Sequence, residues 1–255
     1  MSGRISYTEW LRKITIPAIC VPLTAVEPAA LLAEAEQAVR ACPDLVEWRA
    51  DHMLPQCADS LADTAVKLKK VLGEIPLLFT IRTMQEGGRY NGTAAAYTDL
   101  ILRAACTGCL DFADVEALGF GTAGLVRELQ AQDICVIASS HDFSCTPSAD
   151  RMEEIFRILR ESGADVLKLA VMPATSADVD RLMEVTEKAH GLYTNPLISM
   201  SMGVVGRISR TEGERFGSCV TFGTVGTPSA PGQLSIRELR CELEKCHQKL
   251  QEADA

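Results

Sequence analysis

Eight short apolar runs recur along the 255-residue chain, and they constrain its fold more than any other feature. They cover residues 16–23, 45–50, 77–82, 110–116, 134–140, 166–171, 197–202 and 219–222. Runs of this length and continuity are typical of parallel strands covered on both faces, because a strand with one face in water alternates polar and apolar residues.

Helical patterns lie between most of these runs. Apolar residues three and four positions apart form a single stripe in residues 61–72 and again in 152–159, which is the pattern of a helix with one buried face. Eight strands alternating with helices over about 250 residues match the closed (β/α)8 barrel, or TIM barrel, in count and length. We therefore predict an α/β fold with one barrel domain over residues 1–255 and an N-terminal extension over residues 1–15.

An open, doubly wound α/β sheet is the alternative fold. Dinucleotide-binding sheets of that kind carry a glycine-rich turn after their first strand, whereas Pro-Leu-Thr-Ala-Val-Glu-Pro follows the first run here. The chain also contains no internal repeat and no low-complexity linker. The sequence therefore favours the barrel and predicts no second domain.

Local signals predict several helix ends. Thr146, directly before a proline, is placed as an N-cap, and Ser235 with Glu238 forms a capping box for the last helix. Gly163 and Gly191 are placed as C-terminal caps.

The formal net charge of −9 argues against nucleic acid and anionic membrane surfaces as partners, because both attract basic patches. The first ten residues lack the apolar core of a secretory signal, and no apolar stretch reaches the length of a membrane span. We therefore expect a cytoplasmic protein whose partner is a small molecule.

The ten cysteines are spread along the chain, and Cys20, Cys135 and Cys219 lie in apolar runs, so we interpret them as reduced thiols. Cys106 and Cys109 form a C-x-x-C, which is half of a zinc site or a redox pair, but no second pair or nearby histidine completes it. We predict no metal site, although dispersed Asp and Glu ligands for magnesium stay open.

Polar side chains share one face of five neighbouring strands, because residues two apart point the same way. This set consists of Glu47, Arg49, Thr80, Arg82, Asp114, Glu116, Ser139, His141 and Lys168. In a barrel the bulkier apolar set faces the helices, so the polar set points inward, where barrel enzymes hold their chemistry. Each residue alone fits a structural ion pair or a solvated strand end, but together they indicate a polar ligand.

Lys168 stands in the middle of the apolar run Val-Leu-Lys-Leu-Ala-Val. A buried amine among apolar groups and near another cation loses its proton more readily, so it can attack a ketone near neutral pH. The resulting imine acidifies a neighbouring C–H, and His141 is the predicted base because, of the four histidines, it alone falls at the end of a core strand.

Motifs around these residues resemble those of the type I 3-dehydroquinate dehydratases. They include Glu-Trp-Arg at 47–49, Phe-Thr-Ile-Arg-Thr-Met-Gln-Glu-Gly-Gly at 79–88, Asp-Val-Glu at 114–116, Ser-His-Asp-Phe at 140–143, Leu-Lys-Leu-Ala-Val-Met-Pro at 167–173, Ser-Met-Gly at 201–203 and Ser-Ala-Pro-Gly-Gln at 229–233. So many separate motifs in one order make the resemblance specific. It implies the same closed barrel and the dehydration of 3-dehydroquinate to 3-dehydroshikimate.

The resemblance also implies roles for individual residues. Lys168 would form an imine with the substrate ketone, His141 would move protons as general base and then acid, and Glu86 would orient His141. The implied reaction, in the shikimate pathway, needs no cofactor and no metal. The residues that would bind the substrate are Glu47, Arg49 and Arg82 at the ring hydroxyls, Arg210 at the carboxylate, and Ser229 and Gln233 in an active-site lid loop over residues 223–233.

A homodimer is what the family resemblance implies for assembly. The N-terminus departs from the family, in which a hairpin closes the bottom of the barrel in many members. Residues 7–13, Tyr-Thr-Glu-Trp-Leu-Arg-Lys, are a poor hairpin sequence and suit a helical turn.

Two other functions stay open from the residues. A lysine-imine aldolase would break a carbon–carbon bond instead of eliminating water, and aldol products without a conjugated enone would identify it. A binding barrel without turnover would bind the substrate normally and release it unchanged.

Overall fold

The computed structural model describes residues 6–53, 58–119, 122–226 and 232–253. Eight parallel strands form one sheet in the order β7-β6-β5-β4-β3-β2-β1-β8. Their bounds are β1 Ala18–Leu23, β2 Leu45–Arg49, β3 Leu77–Thr80, β4 Phe112–Glu116, β5 Cys135–Asp142, β6 Val166–Val171, β7 Leu197–Ser201 and β8 Val220–Phe222. A parallel bridge from Leu197 to Ser218 joins β7 to the start of β8, so the barrel is nearly closed and the predicted (β/α)8 fold is confirmed.

Helices surround the sheet between successive strands. Their bounds are α1 Tyr7–Lys13, α2 Pro28–Arg40, α3 Ala58–Leu72, α4 Ala94–Ala105, α5 Ala123–Gln130, α6 Ala149–Glu161, α7 Ser176–Leu192, α8 Arg207–Thr211, α9 Gly213–Phe216 and α10 Ile236–Ala253. Short 3-10 turns, Ala50–His52 and Met84–Glu86, follow β2 and β3. No helix in the described ranges is long and apolar enough to cross a membrane.

The buried apolar residues form two clusters, one on each side of the sheet. The larger cluster fills the space between sheet and helices and includes Trp48, Phe79 and Leu167. The smaller cluster lies inside the barrel and includes Leu78 and Phe112. The two sets alternate along each strand, as the parity of the sequence predicted.

Helix α1 closes the N-terminal end of the barrel. Leu11 is 2% exposed and belongs to the inner cluster, with Tyr7, Trp10 and Ile14 packed against it. The Tyr7 ring lies 4.8 Å from that of Phe112, the first residue of β4. The helical turn predicted for this segment is confirmed, and it supplies the floor of the barrel.

The structure confirms two of the predicted helix ends, the start of α10 and the end of α6. The Ser235 hydroxyl accepts from the Glu238 backbone N–H at 3.3 Å, and the Glu238 carboxylate accepts from the Ser235 backbone N–H at 3.1 Å, so the capping box of α10 is confirmed. Gly163 follows α6 with φ +82°, the left-handed conformation of a glycine C-cap.

Two other predicted helix ends are wrong. The N-cap of α6 is Ser148, whose side chain accepts from the Arg151 backbone N–H. Thr146 is not the cap because its hydroxyl donates to the carbonyl of Met172 at 3.1 Å. Gly191 lies within α7, which continues to Leu192 and ends at the extended backbone of Tyr193.

The cysteines among the described residues are free thiols. Cys20 and Cys135 are buried and Cys219 is half-buried, as expected for thiols inside apolar strands.

Candidate active site

A cavity opens at the C-terminal ends of the strands, where barrel enzymes hold their chemistry. Eight of the nine predicted site residues line it: Glu47, Arg49, Arg82, Glu86, His141, Lys168, Arg210 and Gln233. Residues 227–231 of the predicted lid, with Ser229 among them, lie outside the described residues. The structure therefore brings these eight residues together around one cavity.

Lys168 lies in β6 with its side chain 4% exposed. Its Nζ is 3.1 Å from Asp114 Oδ2 on β4 and 3.9 Å from Glu47 Oε1 on β2, and it lies 4.7 Å from the ring centre of Phe222 on β8. None of these three strands is a neighbour of β6 in the sheet, so the contacts place the amine inside the barrel. The sequence predicted small and apolar neighbours, and the structure adds two carboxylates that balance an ammonium charge.

Arg82, just after β3, is the centre of a buried ion-pair network. Its Nη2 lies 2.9 Å from Asp114 Oδ1, and its Nη1 lies 3.0 Å from Glu116 Oε1 and 3.4 Å from Glu86 Oε2. Nη1 also donates to the Ser139 hydroxyl at 3.0 Å. Burial lowers the pKa of Arg82, but the carboxylates outweigh that effect and raise it overall.

Asp114 joins this network to Lys168. It also accepts from the Ser139 hydroxyl at 2.6 Å. Burial raises the pKa of Asp114, but Arg82 and Lys168 outweigh burial and hold it below the usual value. The alternation along β4 predicted that Asp114 lies on the inner face, but the sequence assigned it no role. The inward-facing cations Arg82 and Lys168 on nearby strands were the signal that could have identified it.

His141 lies near the end of β5, two residues beyond Ser139, which pairs with Lys168 across the sheet. Its Nδ1 is 2.9 Å from Glu86 Oε2, and its backbone N–H donates to the same oxygen at 3.0 Å. Burial, with the charges of Arg82 and Lys168, holds the pKa of His141 well below 6.5. The imidazole is therefore neutral at neutral pH, as a general base must be.

Glu86 stands at the end of the 3-10 turn after β3. Burial raises its pKa to about 8, with Glu116 adding to the rise and Arg82 opposing it. Oε2 of Glu86 accepts both the backbone N–H and the Nδ1–H of His141, with or without a proton on Oε1, which leaves the other ring nitrogen, Nε2, as the basic atom. The pair therefore combines a neutral imidazole with a carboxyl oxygen that fixes its tautomer.

The loop that carries Glu86 is held at both ends. The Thr83 backbone N–H and hydroxyl donate to Glu116 at 2.8 and 2.6 Å. Gly87 has φ +79°, and a Cβ there would come within 2.4 Å of the Phe143 ring. The turn after Glu86 therefore requires glycine for its conformation and for the close approach of Phe143.

Arg49, at the end of β2, makes a two-point ion pair with Asp51. Its Nε and Nη2 donate to Oδ1 and Oδ2 at 2.8 and 2.9 Å. Burial lowers the pKa of Arg49, but Asp51 outweighs it and raises the pKa overall. The sequence analysis did not single out Asp51, although it stands two residues after Arg49, in the 3-10 turn that follows β2.

Arg210, in α8, is 1% exposed and lines the same cavity. Its Nη1 lies 3.8 Å from Met200 Sδ. Burial lowers the pKa of Arg210 to about 10, so it remains a cation at neutral pH. A cation disfavoured by burial gains from an anion brought beside it.

Apolar side chains complete the cavity wall, and the sequence analysis did not identify them. They are Phe143, Ala170, Met200, Met202 and Phe222. The alternation along a strand shows which way such a residue points. It does not show whether an apolar side chain near a strand end lines a cavity or packs in the core. Among the described residues, no group of three or more His, Cys, Asp or Glu side chains is placed to hold a metal ion.

Comparisons with known proteins agree on one family. The model of the type I 3-dehydroquinase family matches residues 19–249. The 3-dehydroquinate dehydratase of Salmonella typhimurium is 40% identical over 212 residues, which cover 80% of this chain and 83% of that protein.

Solved structures give the same result. The 3-dehydroquinate dehydratase of Geobacillus kaustophilus has a TM-score of 0.88 and 37% identity, over 93% of this chain and 95% of that one. The type I enzyme of Clostridium difficile has a TM-score of 0.87 and 36% identity, over 91% and 93%.

The fold and the cavity define a (β/α)8-barrel enzyme with a buried lysine, a neutral imidazole and several cations around one small-molecule site. The chain belongs to the type I 3-dehydroquinase family. The resemblance seen in the sequence motifs is thereby confirmed, and the protein is a dehydratase of the lyase class.

Proposed function

We propose that this enzyme dehydrates 3-dehydroquinate to 3-dehydroshikimate through an imine on Lys168. The observation that carries the proposal is that Lys168, His141 and Arg210 line one buried cavity. Its curated relatives bear the name 3-dehydroquinate dehydratase. The structure from Clostridium difficile is described as holding covalently modified comenic acid, which supports covalent chemistry in the family.

Imine formation begins with attack of the Lys168 amine on the substrate ketone. The attack needs a neutral amine, so the ammonium first gives its proton to water, while Asp114 and Glu47, 3.1 and 3.9 Å from Nζ, hold the nitrogen in place. The ketone oxygen leaves as water and a protonated imine remains. Its positive nitrogen withdraws electrons from the neighbouring carbon and acidifies the C–H there.

His141 then removes the C2 proton of the substrate. Glu86 holds the Nδ1 side of the ring, so Nε2 takes the proton, and the imidazolium returns it to the C1 hydroxyl as that group leaves as water. Hydrolysis of the imine releases 3-dehydroshikimate and restores Lys168. The same histidine thus acts first as base and then as acid, and we assign Lys168, His141 and Glu86 as the catalytic residues.

Substrate binding follows the charges of the cavity. Arg210 takes the substrate carboxylate, because a planar guanidinium matches two oxygens, and Glu47, Arg49 and Arg82 bind the ring hydroxyls. Ser229 and Gln233 bind from the lid loop, of which Gln233 lines the cavity.

Family membership also supports a place in the shikimate pathway of aromatic amino acid biosynthesis, a cytoplasmic location and a homodimer. Equilibrium sedimentation of the purified chain tests the dimer, because a monomer at all concentrations would contradict it.

Borohydride reduction in the presence of 3-dehydroquinate tests the imine directly. We expect a stable adduct on Lys168 by mass mapping, and we expect Lys168→Ala to fold, lose the adduct and lose activity by about 10³-fold or more. Lys188→Ala is the matched control, because Lys188 is also ion-paired, to Glu153 at 2.7 Å, but lies on the surface.

The appearance of a conjugated enone, followed by ultraviolet absorbance, separates the rival functions. Normal turnover by Lys168→Ala would overturn the proposed mechanism. Aldol products without an enone would instead favour a lysine-imine aldolase, and substrate binding without turnover would favour a binding barrel.

A further inference from the structure

Asp51 is a fully buried carboxylate just outside the cavity. It lies in the 3-10 turn Ala50–His52 that follows β2, and its side chain is 0% exposed. It does not line the cavity. A buried charge is costly unless it is paired and hydrogen-bonded, so its partners indicate what it does.

The strongest partner of Asp51 is Arg49. The two hydrogen bonds at 2.8 and 2.9 Å engage Nε and Nη2 of one guanidinium with both carboxylate oxygens. A fork of this kind fixes the plane of the guanidinium as well as its position. The remaining N–H groups of Arg49 then keep one direction relative to the cavity that Arg49 lines.

Asp51 also contacts the loop that carries Glu86. Its Oδ2 accepts the Arg89 backbone N–H at 3.1 Å. The adjacent Tyr90 backbone N–H donates to the Arg82 carbonyl at 3.1 Å, so the end of this loop is bound to the segments that directly follow β2 and β3. One carboxylate thus connects a cavity arginine to the loop beside it.

We propose that Asp51 is a positioning residue that holds the Arg49 guanidinium in its substrate-binding orientation. The inference rests on the proposed function, in which Arg49 binds a ring hydroxyl. Asp51 acts through Arg49 and does not contact the substrate. The pKa values of the two groups agree with a strong pair. Burial disfavours both charges, yet the pKa of Asp51 is below its usual value and that of Arg49 is above its usual value.

The proposal predicts an effect on binding and not on proton transfer. Glu86 keeps its own anchors when Asp51 changes, because Thr83 remains bound to Glu116 and the His141 backbone N–H remains bound to Glu86. A variant of Asp51 should therefore raise KM while kcat changes little.

Asp51→Asn is the test, since asparagine has nearly the same shape but carries no charge and cannot accept both N–H groups of Arg49. We expect KM for 3-dehydroquinate to rise at least about tenfold, with kcat within about threefold of the parent. Asp99→Asn is the control, because it makes the same change in the exposed pair of Asp99 with Arg103, and its kinetics should match the parent.

A double-mutant cycle shows whether Asp51 acts through Arg49. Arg49→Ala with Asp51→Asn should have the same KM as Arg49→Ala alone, since the second change removes a support for a group already lost. Independent, multiplying effects would overturn the positioning role. So would a folded Asp51→Asn variant whose KM equals that of the parent.

Arg49→Lys covers the case in which Asp51→Asn does not fold. Lysine keeps a cation beside Asp51 but cannot form the fork, so its KM should also rise at least about tenfold; an unchanged KM would contradict the proposal. Failure of the proposed function looks different, because the parent chain itself would then not convert 3-dehydroquinate.

Discussion

The arginines of the cavity carry the same charge but differ in what surrounds them. Carboxylates raise the pKa of Arg82 and of Arg49 despite burial. Burial instead lowers the pKa of Arg210 to about 10. An anionic ligand beside Arg210 therefore offsets the cost that burial places on its charge.

Substitution of Arg210 tests this difference. We expect Arg210→Ala to raise KM for 3-dehydroquinate at least about 100-fold, with a smaller loss in kcat, because two charge-assisted hydrogen bonds are each worth about 1.5–3 kcal/mol. Arg210→Lys should fall between, since it keeps the charge and loses the planar fork. Steady-state kinetics over a wide range of substrate concentration measure both constants.

Arg207→Ala is the control for that series, because Arg207 lies in the same helix but is exposed. A rise in KM for Arg210→Ala no larger than that for Arg207→Ala would show that the carboxylate binds elsewhere.

Individual residues show which part of the site could be predicted from the sequence. Strand parity is a local property, so it placed Glu47, Lys168 and His141 on the inner face correctly. Asp51 was missed because it follows the strand in a 3-10 turn, where alternation no longer predicts direction. Its contact with the loop that carries Glu86 is made through Arg89, 38 residues later, and no local pattern contains that distance.

At the scale of elements, α1 replaces a strand pair as the floor of the barrel. Its Leu11 is 2% exposed and packs into the inner cluster. We expect Leu11→Ala to lower the free energy of unfolding by about 2–5 kcal/mol, through lost burial and the cavity left behind. Urea denaturation followed by circular dichroism measures the change.

Leu192→Ala makes the same substitution at a side chain that is 66% exposed. It should change stability by less than about 0.5 kcal/mol. Equal stability of the two variants would mean that α1 is a surface appendage and not a floor.

Helix ends divide into those set locally and those set by tertiary contacts. The box of Ser235 with Glu238 is closed within one turn, so the sequence contained all of it. Thr146 and Ser148 are both good N-cap residues, and the carbonyl of Met172 decides between them by accepting the Thr146 hydroxyl. Met172 follows the next strand, so the choice could not be made from the local sequence.

The whole barrel combines an apolar floor with a charged upper interior. The eight strands and their order were predictable because each run is continuous in sequence and the connections are short. Closure of the barrel was predicted from the strand count alone, and between β7 and β8 it rests on one bridge and on the Cys219 backbone N–H, which donates to the Leu197 carbonyl at 2.8 Å. The ionisable groups in this interior make the stability of the whole molecule depend on pH.

Glu86 and His141 make stability depend on pH in opposite directions. The pKa of Glu86 is about 8 in the folded chain and 4.5 in its ordinary state, so between these values the folded chain holds a proton that the unfolded chain has lost. Stability therefore falls as pH rises through this window. The pKa of His141 is lowered from 6.5, so its contribution is lost only as pH falls below 6.5.

Above pH 6.5 the Glu86 effect is therefore expected to dominate, and Glu86→Gln should remove it. We expect the free energy of unfolding of the parent to fall between pH 6.5 and pH 8 by up to about 1.4 kcal/mol per pH unit, while that of Glu86→Gln stays level. Urea midpoints at half-unit steps of pH measure the slope. Glu36→Gln, at an exposed glutamate of α2, should keep the parent slope. If the free energy of unfolding changed equally with pH in the parent and in Glu86→Gln, Glu86 would already be ionised at pH 6.5. Arg82 and the His141 backbone N–H would then stabilise the carboxylate more than burial disfavours it.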